Sequence, residues 1–81
     1  MKYNVEIAEL ADHFVVAFKD KETRRVKKVF SLNHLGTDIL RAFIEGKPQE
    51  ELVPELAERY QAEADDMRKE ISQFYAELAE Y

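Results

Sequence analysis

Residues 26–46 read VKKVFSLNHLGTDILRAFIEG, and within this stretch the spacing of the apolar residues changes from that of a strand to that of a helix. Before residue 33, alternate residues share one face of a predicted strand: Val26, Lys28, Phe30 and Leu32. After it, apolar residues recur every three or four positions, as along one face of a helix. Asn33 is a good N-cap for that helix, and Gly46 is suited to end it. The stretch therefore predicts a strand followed at once by a helix.

Two more strands are predicted ahead of this stretch. Apolar residues alternate with others across residues 3–8 and again across residues 14–19, a pattern typical of strands packed on one face. The short connection Ala11-Asp12 predicts a hairpin between them. The next connection, residues 21–24, is longer and wholly polar, and we expect it to form a protruding basic hairpin tip.

Two helices are predicted after Gly46. Pro48 and the acidic residues that follow it are suited to start the second helix. Pro54 is awkward there: either the helix kinks at this residue, or its regular part begins nearer Glu51. The third helix, residues 64–81, carries an apolar stripe at spacings of three and four: Ala64, Met67, Ile71, Phe74, Leu78 and Tyr81.

This order of elements indicates an α+β fold. We expect a three-stranded antiparallel β-meander followed by three helices that cover one side of it, an order that can also contain a winged helix-turn-helix. With 81 residues, of which 46% are apolar, the chain is long enough for one small domain, residues 1–81.

The composition limits the class of protein further. The chain has no cysteine, which excludes disulfides, cysteine-ligated zinc and a thiol nucleophile. No apolar run approaches the roughly 20 residues of a membrane span, and the first residues lack the apolar core of a signal peptide. We therefore expect a soluble, cytoplasmic domain with no membrane partner.

The net charge of −5 is unevenly distributed. Residues 19–28 contain six bases and two acids, whereas the other 71 residues contain six bases and fifteen acids. The predicted third helix is acidic and would repel DNA, so we expect no nucleic-acid partner. The basic segment alone is suited to attract one acidic ligand.

No pattern of catalytic or metal-binding residues is evident. His13 and His34 are the only histidines, and no serine or threonine lies in a nucleophile motif. Asp65 and Asp66 are explained by favourable charge at a helix N-terminus. We therefore expect no enzymatic activity, no metal and no cofactor.

The predicted third strand lies at an edge of the meander. An edge strand has unpaired backbone groups and is a template for a foreign strand. Lys27 and Lys28 on this strand have two interpretations. They protect the edge against aggregation, or, with Arg24 and Arg25 beside them, they recognise an acidic peptide.

The segment Phe30-Ser31-Leu32-Asn33, followed by Gly36 and then Ile39-Leu40, resembles the signature of the PqqD-like family. Later positions match as well: Phe43, Ile44, Gly46, Leu52, Val53, Leu56, Tyr60, Ile71 and Phe74. The family contains the coenzyme PQQ synthesis protein D and the recognition elements of ribosomally made, modified peptide pathways. The resemblance implies a non-catalytic module that binds the leader of a precursor peptide. It delivers the peptide to a modifying enzyme, such as a radical S-adenosylmethionine enzyme or a leader peptidase.

The resemblance also implies where the leader binds: antiparallel along the third strand, in a cleft between that strand and the third helix. The implied peptide-binding residues are Arg25, Val26, Lys27, Lys28, Val29, Phe30, Met67, Arg68, Ile71 and Tyr75. Because the basic hairpin adjoins this cleft, we expect an acidic, partly apolar leader. Two alternatives stay open: a structural module that forms a homodimer through its edge strand, and, with less support, a winged-helix DNA-binding regulator.

Overall fold

The computed structural model describes residues 2–81. Its elements, in chain order, are β1 (Tyr3–Leu10), β2 (His13–Asp20), β3 (Val26–Leu32), α1 (His34–Glu45), α2 (Gln49–Arg59) and α3 (Ala64–Leu78). The sheet has the strand order β1-β2-β3, and both pairs are antiparallel. The α+β class and the meander followed by three helices are thus confirmed.

The central strand β2 decides which face of the sheet the helices cover. Phe14, Val16 and Phe18 alternate along it and are at most 4% exposed, because the helices pack over them. Val16 and Phe18 form one core cluster with Leu40 of α1 and Leu78 of α3. No helix among the described residues covers the opposite face of the sheet, as expected for a sheet with one apolar face.

A second core cluster joins the three helices to one another. Its buried members are Ile39, Ala42, Leu52, Val53, Leu56, Met67 and Ile71. Since α1 and α3 each contribute to both clusters, they are fixed against the sheet and against α2 at the same time. This packing sets the position of α3 relative to β3.

The junction between β3 and α1 forms as the sequence predicts. The side chain of Asn33 accepts a hydrogen bond from the Gly36 N–H at 2.8 Å, and Gly46 ends the helix in the left-handed conformation with φ of 78°. A Cβ at Gly36 would lie 3.1 Å from a methyl carbon of Leu32. The first turn of α1 therefore packs directly on the end of β3.

The hairpin between β2 and β3 contains a β-bulge that the alternation does not predict. Phe18 pairs with Lys28, but the next residue, Lys19, pairs with Val26, which leaves Lys27 as an extra residue. Adjacent residues of β2 point to opposite faces, so Val26 and Lys28 also lie on opposite faces. The expectation that Val26 shares a face with Lys28 is thus wrong.

The basic hairpin tip is an ordered turn. The Asp20 carboxylate accepts hydrogen bonds from the backbone N–H groups of Glu22 and Thr23 at 2.8 and 2.9 Å, which hold the pKa of this carboxyl below its ordinary value. Arg24 takes the left-handed conformation with φ of 62°, and Arg25 directly precedes β3. The turn thus holds the basic side chains next to the start of β3.

The structure settles where the second helix begins and corrects where the third helix ends. The second helix begins at Gln49, ahead of Glu51, and contains Pro54. The third helix ends at Leu78, three residues before the predicted end at Tyr81, and the Tyr81 N–H donates to the Leu78 carbonyl at 3.0 Å. No helix within residues 2–81 is long and apolar enough to cross a membrane.

Candidate binding cleft beside the third strand

Within residues 2–81, one side of β3 has no neighbouring strand. The Asp20 N–H donates to the Arg25 carbonyl at 2.9 Å, so the backbone of Asp20 faces β3. In an antiparallel ladder, the N–H and C=O groups of successive residues point alternately to the two sides of their strand. The backbone groups of Phe18 and Val16 therefore also face β3, and those of Phe30, the partner of Val16, face β2. The N–H and C=O groups of Val29 and Ser31 therefore point to the open edge.

Side chains of β3 alternate between an exposed face and the helix side. Val26 and Val29 are 51% and 58% exposed, and both lie on the face without a helix. Lys28, Phe30 and Leu32 pair with the three buried residues of β2, so they lie on the helix side. The edge of β3 is therefore open, with apolar residues on both of its faces.

A cleft separates β3 from α3. No Cα atom of β3 lies within 8 Å of a Cα atom of α3 in the described chain. A cavity of about 330 Å³ lies between β3 and the end of α3, and an adjoining cavity of about 340 Å³ continues it between the start of α1 and α3; the two share Leu32, Phe74 and Glu77 in their linings. A strand added to the open edge of β3 would lie about 4.8 Å from it, beside the smaller cavity.

The floor of the cleft is apolar. Phe30 and Leu32 from β3 and Phe74 from α3 are each half-buried. The Phe30 ring is held edge-on against Phe18, with ring centroids 5.3 Å apart. Phe74 packs against both core clusters. The floor is therefore a fixed surface, with room for apolar side chains of a ligand.

Lys28 and Tyr81 close the hairpin end of the cleft. The Lys28 ammonium donates a hydrogen bond to the Tyr81 hydroxyl and lies 5.2 Å from the centre of its ring. This hydrogen bond is the main reason that the pKa of Lys28 is raised. The Tyr81 ring packs on Phe18 with ring centroids 4.9 Å apart. The ammonium of Lys28 is therefore fixed at this end of the cleft, in a cavity that Glu77 and Glu80 also line.

The α3 wall of the cleft is polar and acidic. Glu70, Gln73 and Glu77 lie along its exposed side. Neither glutamate forms an ion pair within 4.0 Å with any described residue. Their charges are therefore available to a ligand in the cleft.

Of the predicted strand residues, the structure places Lys28 and Phe30 in the lining of the cleft, and it places the predicted α3 residues elsewhere. Residues 26–30 all lie on β3, directly after Arg25. Met67 and Ile71, in contrast, are 3% and 0% exposed and belong to the cluster between the helices. Their side chains are not part of the surface that lines the cleft.

Arg68 and Tyr75 lie on the far margin of α3. At about 100° per residue, they fall on one side of Ile71, and Phe74 falls on the other. Arg68 pairs with Asp65 at 2.8 Å. The Tyr75 hydroxyl donates to the Lys47 carbonyl at 2.8 Å, and burial raises the pKa of this tyrosine. These two side chains therefore face away from the cleft.

Sequence reasoning missed the cleft-lining residues Glu70, Gln73, Glu77 and Tyr81. Tyr81 carried a signal, since it continues the apolar stripe. The other three repeat at helical spacing beside Phe74, but nothing in that spacing distinguishes a cleft wall from a solvated face.

Neither histidine lines the two cavities of the cleft. The His13 ring is 2.9 Å from the Asp12 carboxylate on the β1–β2 hairpin. The His34 ring packs edge-on against Phe14, with centroids 5.0 Å apart. Residues 2–81 contain no group of three or more side chains suited to hold a metal ion.

The fold and the cleft define a class of protein: a small α+β domain in which an open edge strand faces a helix across an apolar gap. The family model described as "Coenzyme PQQ synthesis protein D (PqqD)" matches residues 12–81, and the chain therefore belongs to the PqqD family. This confirms the resemblance found in the sequence.

A solved structure and the curated proteins give two further comparisons. The chain is similar to the structure "TbiB1 in Complex with the TbiA(beta) Leader Peptide", with a TM-score of 0.67 and 26% sequence identity. The similarity covers 99% of this chain and 90% of that chain. No curated protein matches the chain significantly.

Proposed function

We propose that this protein is a non-catalytic recognition module that binds the leader of a ribosomally made precursor peptide. The leader adds to the open edge of β3 as an antiparallel strand. The observation that carries the proposal is this open edge beside a cleft with an apolar floor. Membership of the PqqD family and similarity to TbiB1, whose structure contains the TbiA(beta) leader peptide, support it.

The leader backbone pairs with Val29 and Ser31, and every second leader side chain enters the cleft. Each main-chain hydrogen bond contributes about 0.5–1.5 kcal/mol and is independent of sequence. Each apolar side chain buried in the cleft contributes about 1.5–3 kcal/mol. The cavities over Phe30, Leu32 and Phe74 therefore select the leader, and the edge holds it in register.

In this proposal, the residues of α3 and of the segment that follows it have three different roles. Phe74, Glu77 and Tyr81 contact the leader, because they line the cavities beside β3. Met67 and Ile71 hold α3 at its distance from β3 from within the core. Arg68 and Tyr75, on the far margin, do not touch the leader.

The bound leader is then presented to an enzyme that modifies the precursor, such as a radical S-adenosylmethionine enzyme or a leader peptidase. In this scheme the domain itself supplies binding and position but no reacting group or cofactor. Neither histidine contributes to the lining of the cleft, in keeping with that division of tasks.

A backbone-amide NMR titration tests the proposal. The ligand is the leader of a short precursor encoded beside the gene of this protein, and a scrambled leader is the control. We expect shifts at Val29 and Ser31 and along residues 73–81. A folded protein whose signals do not move, or whose shifts centre on β1, would contradict the proposal.

A second candidate is a homodimer formed through the same edge. The exposure of Val26 and Val29 on β3 favours it, because such an edge also pairs with its own copy. Light scattering across a dilution series decides between the two candidates. A tight dimer that ignores the leader favours self-pairing, whereas a monomer that binds the leader rejects it.

A further inference from the structure

The larger cavity of the cleft continues beyond the end of β3. It has a volume of about 340 Å³ and lies between the start of α1 and α3. The apolar part of its lining comes from the strand and both helices: Leu32, Leu35, Ile39 and Phe74. Most of its polar lining comes from α3: Glu70, Gln73 and Glu77. A long side chain with an apolar stem and a polar end therefore fits this cavity.

The polar part of the lining belongs to one acidic side of α3. Asp66, Glu70, Gln73 and Glu77 recur at spacings of four, three and four, and at about 100° per residue they share one side of the helix, beside Phe74. Lys69 flanks this side, away from Phe74, and lines neither cavity. The side of α3 that faces the cleft therefore presents carboxylates and one amide.

The basic groups around the cleft do not neutralise these carboxylates. Among the described residues, Lys28 is the one base that lines either cavity, and Glu77 and Glu80 line the same cavity. The Lys28 ammonium already donates a hydrogen bond to Tyr81. Three carboxylates thus face one ammonium: those of Glu70, Glu77 and Glu80.

The negative charge is least compensated at the larger cavity. Glu70 and Glu77 line it, and no base among residues 2–81 does. Neither carboxylate has an ion-pair partner within 4.0 Å in the described chain. The start of α1 is equivalent to about half a positive charge, and Asn33 already accepts from one of its N–H groups. Two carboxylates outweigh that partial charge.

The direction of β3 determines which leader residue meets this cavity. β3 ends at Leu32, so a strand paired antiparallel to it reaches this end with its N-terminal residues. Residues directly opposite each other in a sheet point to the same face. Because Leu32 lies on the helix side and lines the cavity, the leader side chain opposite Leu32 enters the cleft there.

We infer that the bound leader has an Arg or Lys at the position opposite Leu32 and an apolar residue two positions later, opposite Phe30. This inference rests on the proposed function and specifies its ligand. The stem of the basic side chain covers Phe74, and its cationic end lies against Glu70 and Glu77. Arg suits this cavity better than Lys, because a guanidinium donates to two acceptors at once.

This inference replaces the expectation of an acidic leader for the segment that the cleft holds. That expectation came from the basic hairpin. The hairpin residues Arg24, Arg25 and Lys27 line neither cavity, so the charge of the cleft itself is set by α3.

Two end-blocked model peptides test the basic position. Both have Ile and Val at the next two alternate positions, with Thr between them. One has Arg at the first position, and the other has citrulline, which has nearly the same shape without the charge. Exposed ion pairs each change affinity less than about fivefold. Because two carboxylates act on the same cation, we expect the Arg peptide to bind about fivefold tighter by fluorescence polarisation at low salt.

Salt provides the first check. Screening shortens the reach of exposed charges to about 3 Å at 1 M salt. The preference for Arg over citrulline should therefore fall below about twofold in 1 M NaCl. The apolar contacts and main-chain pairing stay, so both peptides should still bind.

Two glutamine substitutions provide the second check. Glu70→Gln together with Glu77→Gln keeps the size of both side chains and removes their charges, so the preference for Arg should fall below about twofold. The matched control is Glu9→Gln together with Glu58→Gln, two exposed glutamates on β1 and α2 that give the same change in net charge. The control should keep the fivefold preference.

The outcomes separate this inference from the proposed function. Equal affinity of the two peptides, with amide shifts at Val29 and Ser31, would overturn the basic position and leave strand addition intact. A preference for Arg that persists in Glu70→Gln/Glu77→Gln shows that the charge is recognised elsewhere and rejects the inference as well. Binding of neither peptide also overturns it, while the titration with the natural leader decides the proposed function independently.

Discussion

The two edge strands of the sheet, β1 and β3, both offer unpaired backbone groups, but their surroundings differ. β1 exposes Glu6 and Glu9 and borders a cavity of about 310 Å³ against the end of α1, together with cavities of about 510 and 290 Å³ that α3 does not line. β3 exposes Val26 and Val29 and borders two adjoining cavities with a helix on their far side. The family match includes β3 and leaves out β1. Under the proposed function, an open edge makes a selective peptide site where an apolar floor and the α3 wall accompany it.

The energetic reason for this difference is the apolar floor. Backbone pairing is available at either edge and contributes about 0.5–1.5 kcal/mol for each hydrogen bond, whatever the ligand sequence. An apolar side chain buried over Phe30, Leu32 and Phe74 adds about 1.5–3 kcal/mol. Burial of two such side chains outweighs any difference in backbone hydrogen bonding between the two edges. Under the proposed function, the apolar floor therefore decides which ligand binds.

The largest expected effect comes from removing the support of the α3 wall. Ile71 is fully buried between the helices, so Ile71→Ala leaves a cavity and should lower the free energy of unfolding by about 2–5 kcal/mol. Urea denaturation followed by circular dichroism measures this change. Leader binding should fall as well, because α3 is no longer held at its distance from β3.

Gln73→Ala is the matched control for Ile71→Ala, since Gln73 lies nearby on α3 but lines the cleft. We expect its stability to stay within about 0.5 kcal/mol of the wild type, as for other exposed positions. If Ile71→Ala were as stable as Gln73→Ala, the assignment of Ile71 to the core and of Gln73 to the wall would be wrong.

A smaller effect, on binding alone, is expected from proline at the open edge of β3. The N–H of Val29 points away from β2, so Val29→Pro removes an edge donor and leaves the sheet ladder intact. The lost hydrogen bond and the bulk of the ring should weaken leader binding about 10- to 100-fold in calorimetric titrations. Unchanged leader affinity in a folded Val29→Pro protein would exclude strand addition at this edge.

The same substitution on β1 sharpens the comparison between the edges. Glu9 pairs with Phe14, whose backbone faces β3, so the Glu9 N–H points to the open edge of β1. Glu9→Pro should therefore be tolerated in the same way and should leave leader affinity unchanged. If Glu9→Pro weakened leader binding more than Val29→Pro does, the leader would bind at the edge of β1, and the proposed site on β3 would be wrong.

The sequence predicted the elements and the edge because these depend on local spacing. Alternation marks the strands, the change of period at Asn33 marks the first helix, and Asn33 and Gly46 cap it as expected. A meander leaves its third strand at an edge whatever its side chains are. The peptide-binding role of residues 26–30 remains a prediction, and the structure supplies the open edge that it requires.

The wall of the cleft was not predictable in the same way. An apolar stripe on a helix identifies its buried face, and Met67 and Ile71 lie there. The wall is formed by the neighbouring margin of the stripe, where Glu70 and Glu77 have the composition of any solvated face. Only the packing of α1 against both α3 and the sheet brings that margin opposite β3. The bulge at Lys27 depends on the turn before it, which alternation does not reveal.

The smallest expected effect lies in the helical frame, remote from both edges. The Tyr60 hydroxyl donates a hydrogen bond to the Asp38 carboxylate, which also pairs with Arg59 at 3.1 Å. Burial, reinforced by Asp38, raises the pKa of Tyr60 to about 12. The folded state holds this proton more tightly than the unfolded state does. The stabilisation is therefore complete below pH 10 and is lost as the pH rises from about 10 to about 12.

Tyr60→Phe isolates this effect from the titration of lysines and other tyrosines. The free energies of unfolding of the wild type and Tyr60→Phe, measured in urea from pH 8 to pH 11, should converge as the pH rises above 10. Asp38→Asn should lower the pKa of Tyr60, because it removes the negative charge that favours the protonated hydroxyl. A constant difference across this pH range would show that Tyr60 does not titrate differently in the folded state. Leader affinity at neutral pH should be the same in all three proteins, because this network holds α1 to α2 and contributes no side chain to either cavity beside β3.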